Sequence, residues 1–239
     1  MTLLTRAEVI TIVSDEWMPY TGYLQNSEGY LIDIARAIFE KRGVTVISKS
    51  IPWARAVAET RDGKYTAIAG AYKTDAPDFL YPVDEQGIGV DVFFALKETK
   101  WGYDGIDSLN NITLGVVKDY SYGKAIDDYI FKNINDISKI NILPGDNMLL
   151  PRTLKLLRQK RITAFIENKY VFYYTLKHNE IKDIKEVGTR GSDKLYIAFS
   201  PKNPRSKEYA LILSEGMSEI RTSGELKKIL DKYGLKDWK

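Results

Sequence analysis

Side chains able to do covalent or metal chemistry are scarce in this sequence. There is no cysteine among the 239 residues, which removes disulfides, thiolate metal sites and cysteine nucleophiles. The single histidine, His178, closes the helix-like stretch that begins at Val171, so a multi-histidine metal site or a serine–histidine relay has almost no material. At a helix C-terminus His178 reads as a solvated residue near the negative end of the dipole. What stands out instead is a turn-rich segment, Ser14 to Tyr20, that sets Trp17 and Tyr20 directly behind the apolar strand Val9 to Val13.

The elements that would position such residues follow an α/β alternation. Leu31, Ile34, Ala35, Ile38 and Phe39 recur at helical spacing and predict a helix over Leu31 to Arg42, with Gly43 as its left-handed stop. Val44 to Ile47 reads as a strand, Pro52 opens a helix that ends at Asp62-Gly63, and Thr66 to Ala71 reads as a short buried strand. A long strand follows from Ile88 to Leu96. The alternation then restarts with the strand Ile112 to Val117, the turn Asp119 to Gly123 and the helix Lys124 to Phe131. It continues through the strand Ile140 to Leu143, the helix Asn147 to Gln159 and the strand Ile162 to Ile166. A second long strand, Lys194 to Phe199, precedes two helices that run from about Ser206 to the end, the last opened by a capping box at Thr222 and Glu225. β-α-β alternation implies parallel sheets with crossover helices. The pattern predicts two such lobes, residues 1–93 plus 197–239 and residues 94–196, with the long strands as the crossings and the terminal helices packed on the first lobe.

Composition narrows the function. Lys and Arg number 35 against 32 Asp and Glu, a net charge of +3, and the two signs are interleaved throughout, as in Asp62 to Asp78. A duplex-binding surface would concentrate its cations, so nucleic acid is not expected as a partner. Hydrophobic residues make up 44%, enough to build cores and to exclude disorder. The longest apolar stretches, such as Val92 to Leu96, fall far short of the roughly 20 residues of a membrane span. Met1 to Arg6 lacks the apolar core of a secretory signal, which leaves either a cytoplasmic protein or one whose signal is replaced by the first methionine.

Segments along nearly the whole chain resemble the periplasmic solute-binding proteins of the polar-amino-acid type, the receptors of ABC importers. In the first lobe they are Gly29 to Ala35, Pro52 to Arg55 and Gly63 to Gly70. In the second they are Gly115 to Val117 with the turn to Gly123, and Lys160 to Asn168. Leu195 to Ser200, Ile220 to Ile229 and Lys232 to Leu235 complete the match. The resemblance implies the type 2 periplasmic-binding fold, in which each lobe is a mainly parallel sheet flanked by helices and two crossover strands join the lobes. It further implies a periplasmic, monomeric binding protein without cofactor or metal, whose lobes close on a small-molecule ligand for a membrane permease.

Loops at the carboxyl ends of parallel strands line a cleft of this kind, and helix N-termini there offer backbone amides. On that logic the candidate ligand contacts are Trp17, Tyr20, Trp53, Arg55, Gly70, Ala71, Tyr72 and Lys73 in the first lobe, with Tyr120, Ser121, Tyr122, Glu167 and Asn168 in the second. Core packing is the competing reading of Trp17, Tyr20 and Trp53, and a surface position that of Arg55. Asp33, at the family's acidic position within the first helix, reads as a structural hydrogen-bonding residue. Two departures from the family stand out. Its carboxylate-clamping arginine is matched here by Ala76 or Pro77, and its ammonium-binding acid by Asn168, with Glu167 one residue earlier. Two other functions fit the same fold: a cyclohexadienyl-dehydratase type of enzyme using Glu167 and Lys73 as acid and base, and a ligand-sensing module for a membrane signalling partner.

Overall fold

A computed structural model describes residues 8–23, 27–118, 120–145, 148–179 and 181–239, the side chains of 177–179 excepted. The chain divides into two compact units, the described part of Met1–Ile88 together with Asp193–Lys239, and Gly89–Ser192. The sequence pattern alone places these crossings near residues 93 and 197.

The first unit carries β1 (Glu8–Ser14), α1 (Tyr30–Phe39), β2 (Val44–Ser50), α2 (Trp53–Arg61), β3 (Ala67–Ala71), α6 (Ser206–Thr222) and α7 (Glu225–Lys232). It also takes the C-terminal part of a 16-residue strand, β8 (Ile184–Phe199). The sheet order is β2-β1-β3-β8. β1 runs parallel to β2 from Glu8↔Val44 to Ser14↔Ser50 and parallel to β3 at Ile12↔Ala67, while β8 is antiparallel to β3. α1 buries Leu31, Ile34, Ala35, Ile38 and Phe39 completely. Each of the larger side chains contributes roughly 1.5–3 kcal/mol relative to exposure. α1 is shorter than its pattern predicts, because the chain tightens into a 3-10 turn at Glu40–Arg42 before Gly43 takes φ 74°. Gly216 lets α6 approach α1, since a Cβ there would lie 2.3 Å from Ile38 Cγ2.

The second unit contains most of β4 (Gly87–Leu96), then β5 (Leu114–Val117), α3 (Lys124–Asn133), β6 (Ile140–Leu143), α4 (Leu149–Arg158), β7 (Ala164–Asn168) and α5 (Lys169–Asn179). Its strand order is β4-β7-β5-β6, with β5 parallel to both β6 and β7 and β4 antiparallel to β7. One face of the sheet packs Phe93, Leu114, Val116, Ile126 and Ile166. The other packs Val92, Phe94, Leu157, Phe165 and Phe172, the Phe94 and Phe172 rings stacking at 3.9 Å.

Two local expectations are overturned. The capping box at the start of α7 does not form. α6 runs through Thr222, whose hydroxyl donates back to Ser218 O at 2.9 Å, and Gly224 precedes α7 in the left-handed region with no side-chain cap. Glu225, expected to reach back, pairs with Lys41 instead. The second long strand begins ten residues earlier than its hydrophobic run, because tertiary contacts hold a polar segment extended: Tyr103 N donates to Val187 O at 2.7 Å and Thr189 Oγ1 to Asp91 O at 2.9 Å. The backbone of His178 belongs to α5, and its side chain lies outside the described residues, as do Met1 to Arg6, Asp119 and Asn147.

Candidate functional site

In the first unit the candidates gather where β1 and β3 end. The chain leaving β1 turns back on itself, with Trp17 N donating to Thr21 O at 2.8 Å and Tyr20 N to Trp17 O at 2.9 Å. This turn stacks the Trp17 and Tyr20 rings at 4.3 Å. Tyr20 is fully buried and its hydroxyl donates to Ile88 O at 2.7 Å, so it supports the indole from behind. Trp17 keeps part of its surface open, yet its Nε1 is buried and has no hydrogen-bond partner among the described residues. Gly70 also lies against the indole, since a Cβ there would meet Cε3 at 3.6 Å. Gly70 takes φ 89°, which side-chain-bearing residues rarely adopt, at the bulge where β3 slips register against β8.

Beyond buried Ala71 the loop folds on itself. Tyr72 N donates to Asp75 Oδ2 at 2.9 Å, and the Tyr81 hydroxyl lies 3.1 Å from Tyr72 O and 3.0 Å from Ala76 O. The Lys73 ammonium sits over the rings of Tyr196 (5.0 Å) and Tyr81 (5.8 Å). Ala76 is buried and Pro77 exposed, so the family's arginine position supplies no charge. Trp53 opens α2 half-buried against the core of Val13, Ala56 and Ile68. Arg55 lies on the outer face of α2, its side chain 60% exposed, and its Nε donates to Glu59 Oε1 at 2.9 Å. Lys64 and Arg55 together hold the Glu59 carboxyl down at about 2.

Asp15 is not among the sequence candidates. It follows β1 directly, and burial pushes its carboxyl up to about 6, opposed by its own backbone amide and reinforced by Glu16, a charge of the same sign. A desolvated carboxylate with no cation among the charges acting on it is a candidate functional group. Its signal in the sequence is the pair Asp15-Glu16 at a strand's carboxyl end, two residues before Trp17.

In the second unit the candidates sit after β5 and at the end of β7, but most of their polar groups serve the fold. Asp127, in the first turn of α3, accepts from Tyr122 N at 2.8 Å and from Ser121 Oγ at 2.6 Å, so a carboxylate of the chain itself occupies the donors expected for a ligand anion. Tyr122 is 2% exposed and its hydroxyl accepts from Val117 N at 2.8 Å. Burial, then Glu167, raises its phenol well above the ordinary value. Tyr120 is half-buried beside both faces of the core. Asn168 Oδ1 accepts from Tyr170 N (2.9 Å) and Val171 N (3.3 Å), which makes it the N-cap of α5. Glu167 is buried and its Oε1 accepts from Asn168 N at 2.8 Å. Beside them, Arg190 grips the buried Asp91 through Nε at 2.9 Å and Nη2 at 2.5 Å, a pair the sequence did not disclose. Asp33, in the first unit, bonds Tyr233 and Lys232 at 2.8 Å, tying α1 to the end of α7. Among the described residues no group of three or more His, Cys, Asp or Glu could hold a metal ion.

Residues 9–236 match the model of the bacterial extracellular solute-binding proteins, family 3. The chain belongs to this family. No curated protein sequence matches it. Solved structures that resemble it include a histidine kinase sensor domain with similarity to periplasmic binding proteins (18% identity, TM-score 0.76, covering 97% of this chain and 99% of that one). An ABC uptake transporter substrate-binding protein from Streptococcus pneumoniae with bound histidine aligns at 18% identity and TM-score 0.72, over 95% of this chain and 92% of its own. An ancestral amino-acid-binding protein, a precursor of cyclohexadienyl dehydratase, aligns at 15% identity and TM-score 0.69, over 94% of each chain. At these identities the likeness is one of fold, the type 2 periplasmic-binding fold. No described helix is long and apolar enough to cross a membrane.

Proposed function

We propose that the protein is an extracytoplasmic receptor that captures a small polar solute, an amino acid or a related compound, between its two units for an ABC importer. In this reading the solute favours the closed form because it touches both units. The observation that carries it is the placing of candidates within each unit. Trp17 and Gly70 to Lys73 lie at the ends of parallel strands in one, and Tyr120, Ser121 and Glu167 in the other. Ligands of α/β sheets bind outside such strand ends.

The charges of the first unit favour a cationic group on the solute. Pro77 supplies no cation and Arg55 is engaged with Glu59, whereas Asp15, two residues before the partly open Trp17, is desolvated. An ammonium would relieve Asp15 and lie against the indole, an aromatic contact worth about 0.5–2 kcal/mol.

Native mass spectrometry of the purified protein, followed by a thermal-shift screen of amino acids, amines and organic acids, tests the reading. A hit should reduce the radius of gyration in small-angle scattering and lose affinity in Trp17→Ala. Saturable binding without compaction would remove the closing receptor. The likeness to a kinase sensor domain favours sensing as the second reading, and the genes adjoining this one separate it from import. Product analysis with cyclic prephenate-like acids tests for dehydratase chemistry.

A further inference from the structure

In the second unit β5, β6 and β7 are parallel, and Leu114 is level with both Ile140 and Ala164, so the segments entering these strands share one edge of the sheet. α3 and α4 both end at that edge, because a helix that leaves one parallel strand returns to the start of the next. The carboxyl ends, which carry Tyr120 and Glu167, lie at the opposite edge.

Two kinds of side chain mark the amino-terminal edge. Phe131 is 81% exposed, Ile134 45% and Ile137 85%, at the end of α3 and in the loop to β6. Single apolar residues in water are ordinary, whereas three this close form an apolar surface. Cations share the edge. Lys132 in the last turn of α3, Lys155 in the last turn of α4, and Lys160 and Arg161 in the turn before β7 are exposed, and none is ion-paired among the described residues. Two acids of the edge are already held: Asp136 accepts from Ser138 N at 2.9 Å and Oγ at 2.6 Å, and Asp183 from Arg158 Nε at 2.7 Å and Nη2 at 3.0 Å. Asp107, before β5, and Glu98, after β4, remain. The helix dipoles alone favour Lys132 and Lys155 at helix ends. They do not account for the exposed apolar residues, nor for Lys160, which takes φ 54° where a glycine would cost less.

We propose that this edge is a docking surface for a bilayer carrying anionic phospholipid headgroups, with Phe131, Ile134 and Ile137 entering the interface and the four cations facing the headgroups. Charge complementarity names the occupant, since lysine and arginine are drawn to an anionic bilayer while bulky apolar side chains are buried at its boundary between headgroups and acyl chains. α3 packs on one face of the sheet and α4 on the other, so only a broad partner touches both helix ends. A soluble polyanion would answer the cations but give Ile134 and Ile137 nothing apolar to enter. The surface lies within one unit, away from its candidate solute contacts, and does not rest on the receptor reading.

The test is co-sedimentation of the full chain with vesicles of phosphatidylcholine containing roughly one-quarter phosphatidylglycerol, beside vesicles of phosphatidylcholine alone and soluble polyuridylate. The chain should partition onto the anionic vesicles, less so as salt is raised, and should ignore both controls. Lys160→Ala with Arg161→Ala should lower the partition coefficient about 25-fold, about fivefold for each cation. Lys124→Ala with Lys227→Ala removes the same charge from exposed positions away from this edge and should change it far less. Phe131→Ser with Ile137→Ser should lower it by about tenfold or more with the salt dependence and the thermal midpoint unchanged. An equal loss in the Lys124 and Lys227 pair would assign the adsorption to net charge. Comparable binding of polyuridylate, or an unchanged partition in the Phe131 and Ile137 pair, would assign the cations to a soluble polyanion. No sedimentation with anionic vesicles at low salt would remove the surface altogether. Each of these results overturns the inference, and none bears on solute binding, which the thermal-shift screen reads without lipid.

Discussion

Replacing Asp15 by asparagine removes a carboxylate that the fold holds against its preference for water. Burial raises its pKa from 3.8 to about 6, so the native state binds this proton more tightly than the unfolded chain does. The stabilising contribution is therefore fully present below the unfolded value of 3.8 and is lost as pH rises through about 6. The shift of roughly two units corresponds to about 3 kcal/mol at 1.36 kcal/mol per unit, an upper bound because the side chain keeps some contact with solvent. The asparagine amide has nothing to ionise. Asp15→Asn should thus stabilise the protein by up to about 3 kcal/mol above pH 7 and by nearly nothing below about pH 4. Thermal and urea unfolding of both proteins across this range measures the difference. An increment that is the same at both ends, or destabilisation at high pH, would refute the assignment of a desolvated carboxylate. The proposed solute site adds an opposite effect on binding: the stabilised variant should hold a cationic solute less well, as expected where a strained group is kept for function.

Three further outcomes follow from contacts elsewhere. Burial alone would raise Glu85, but its own backbone amide, Lys194, Trp238 and Lys239 hold it at about 2. This stability exists above the unfolded value of 4.5 and is lost as pH falls through about 2, and Trp238→Ala, which removes a 3.0 Å donor, should cost about 1.5–3 kcal/mol in denaturant unfolding near neutral pH. Asn168→Ala removes the N-cap of α5 and should destabilise by about 0.5–2 kcal/mol, with amide exchange quickening first at Tyr170 and Val171. Arg55→Ala breaks an exposed pair with Glu59 and should leave both the thermal midpoint and solute affinity unchanged; a tenfold loss of affinity in calorimetric titration would instead mark an anionic solute for which Arg55 leaves Glu59.

Sequence alone determined the parts of this protein that local periodicity and turn chemistry encode. The apolar spacing of Leu31, Ile34 and Ile38 and the left-handed Gly43 define α1 and its end, and the repeated β-α alternation requires parallel sheets flanked by helices. The segments from Gly29 to Leu235 were enough to place the chain in its family. The fate of polar groups was decided by tertiary structure, because hydrogen bonds depend on neighbours that sequence spacing does not specify. Asn168 caps a helix and Asp127 takes the donors of the turn before α3. Tyr122 spends its hydroxyl on the sheet. The polar half of β8 is extended because Asp91 and Tyr103 hold it, against the weak strand preference of Gly188 and Gly191. Asp15 shows the same limit most clearly: its residue type and place were legible, but its pKa of about 6 arises from the protein packed around it, a property that exists only in the folded chain.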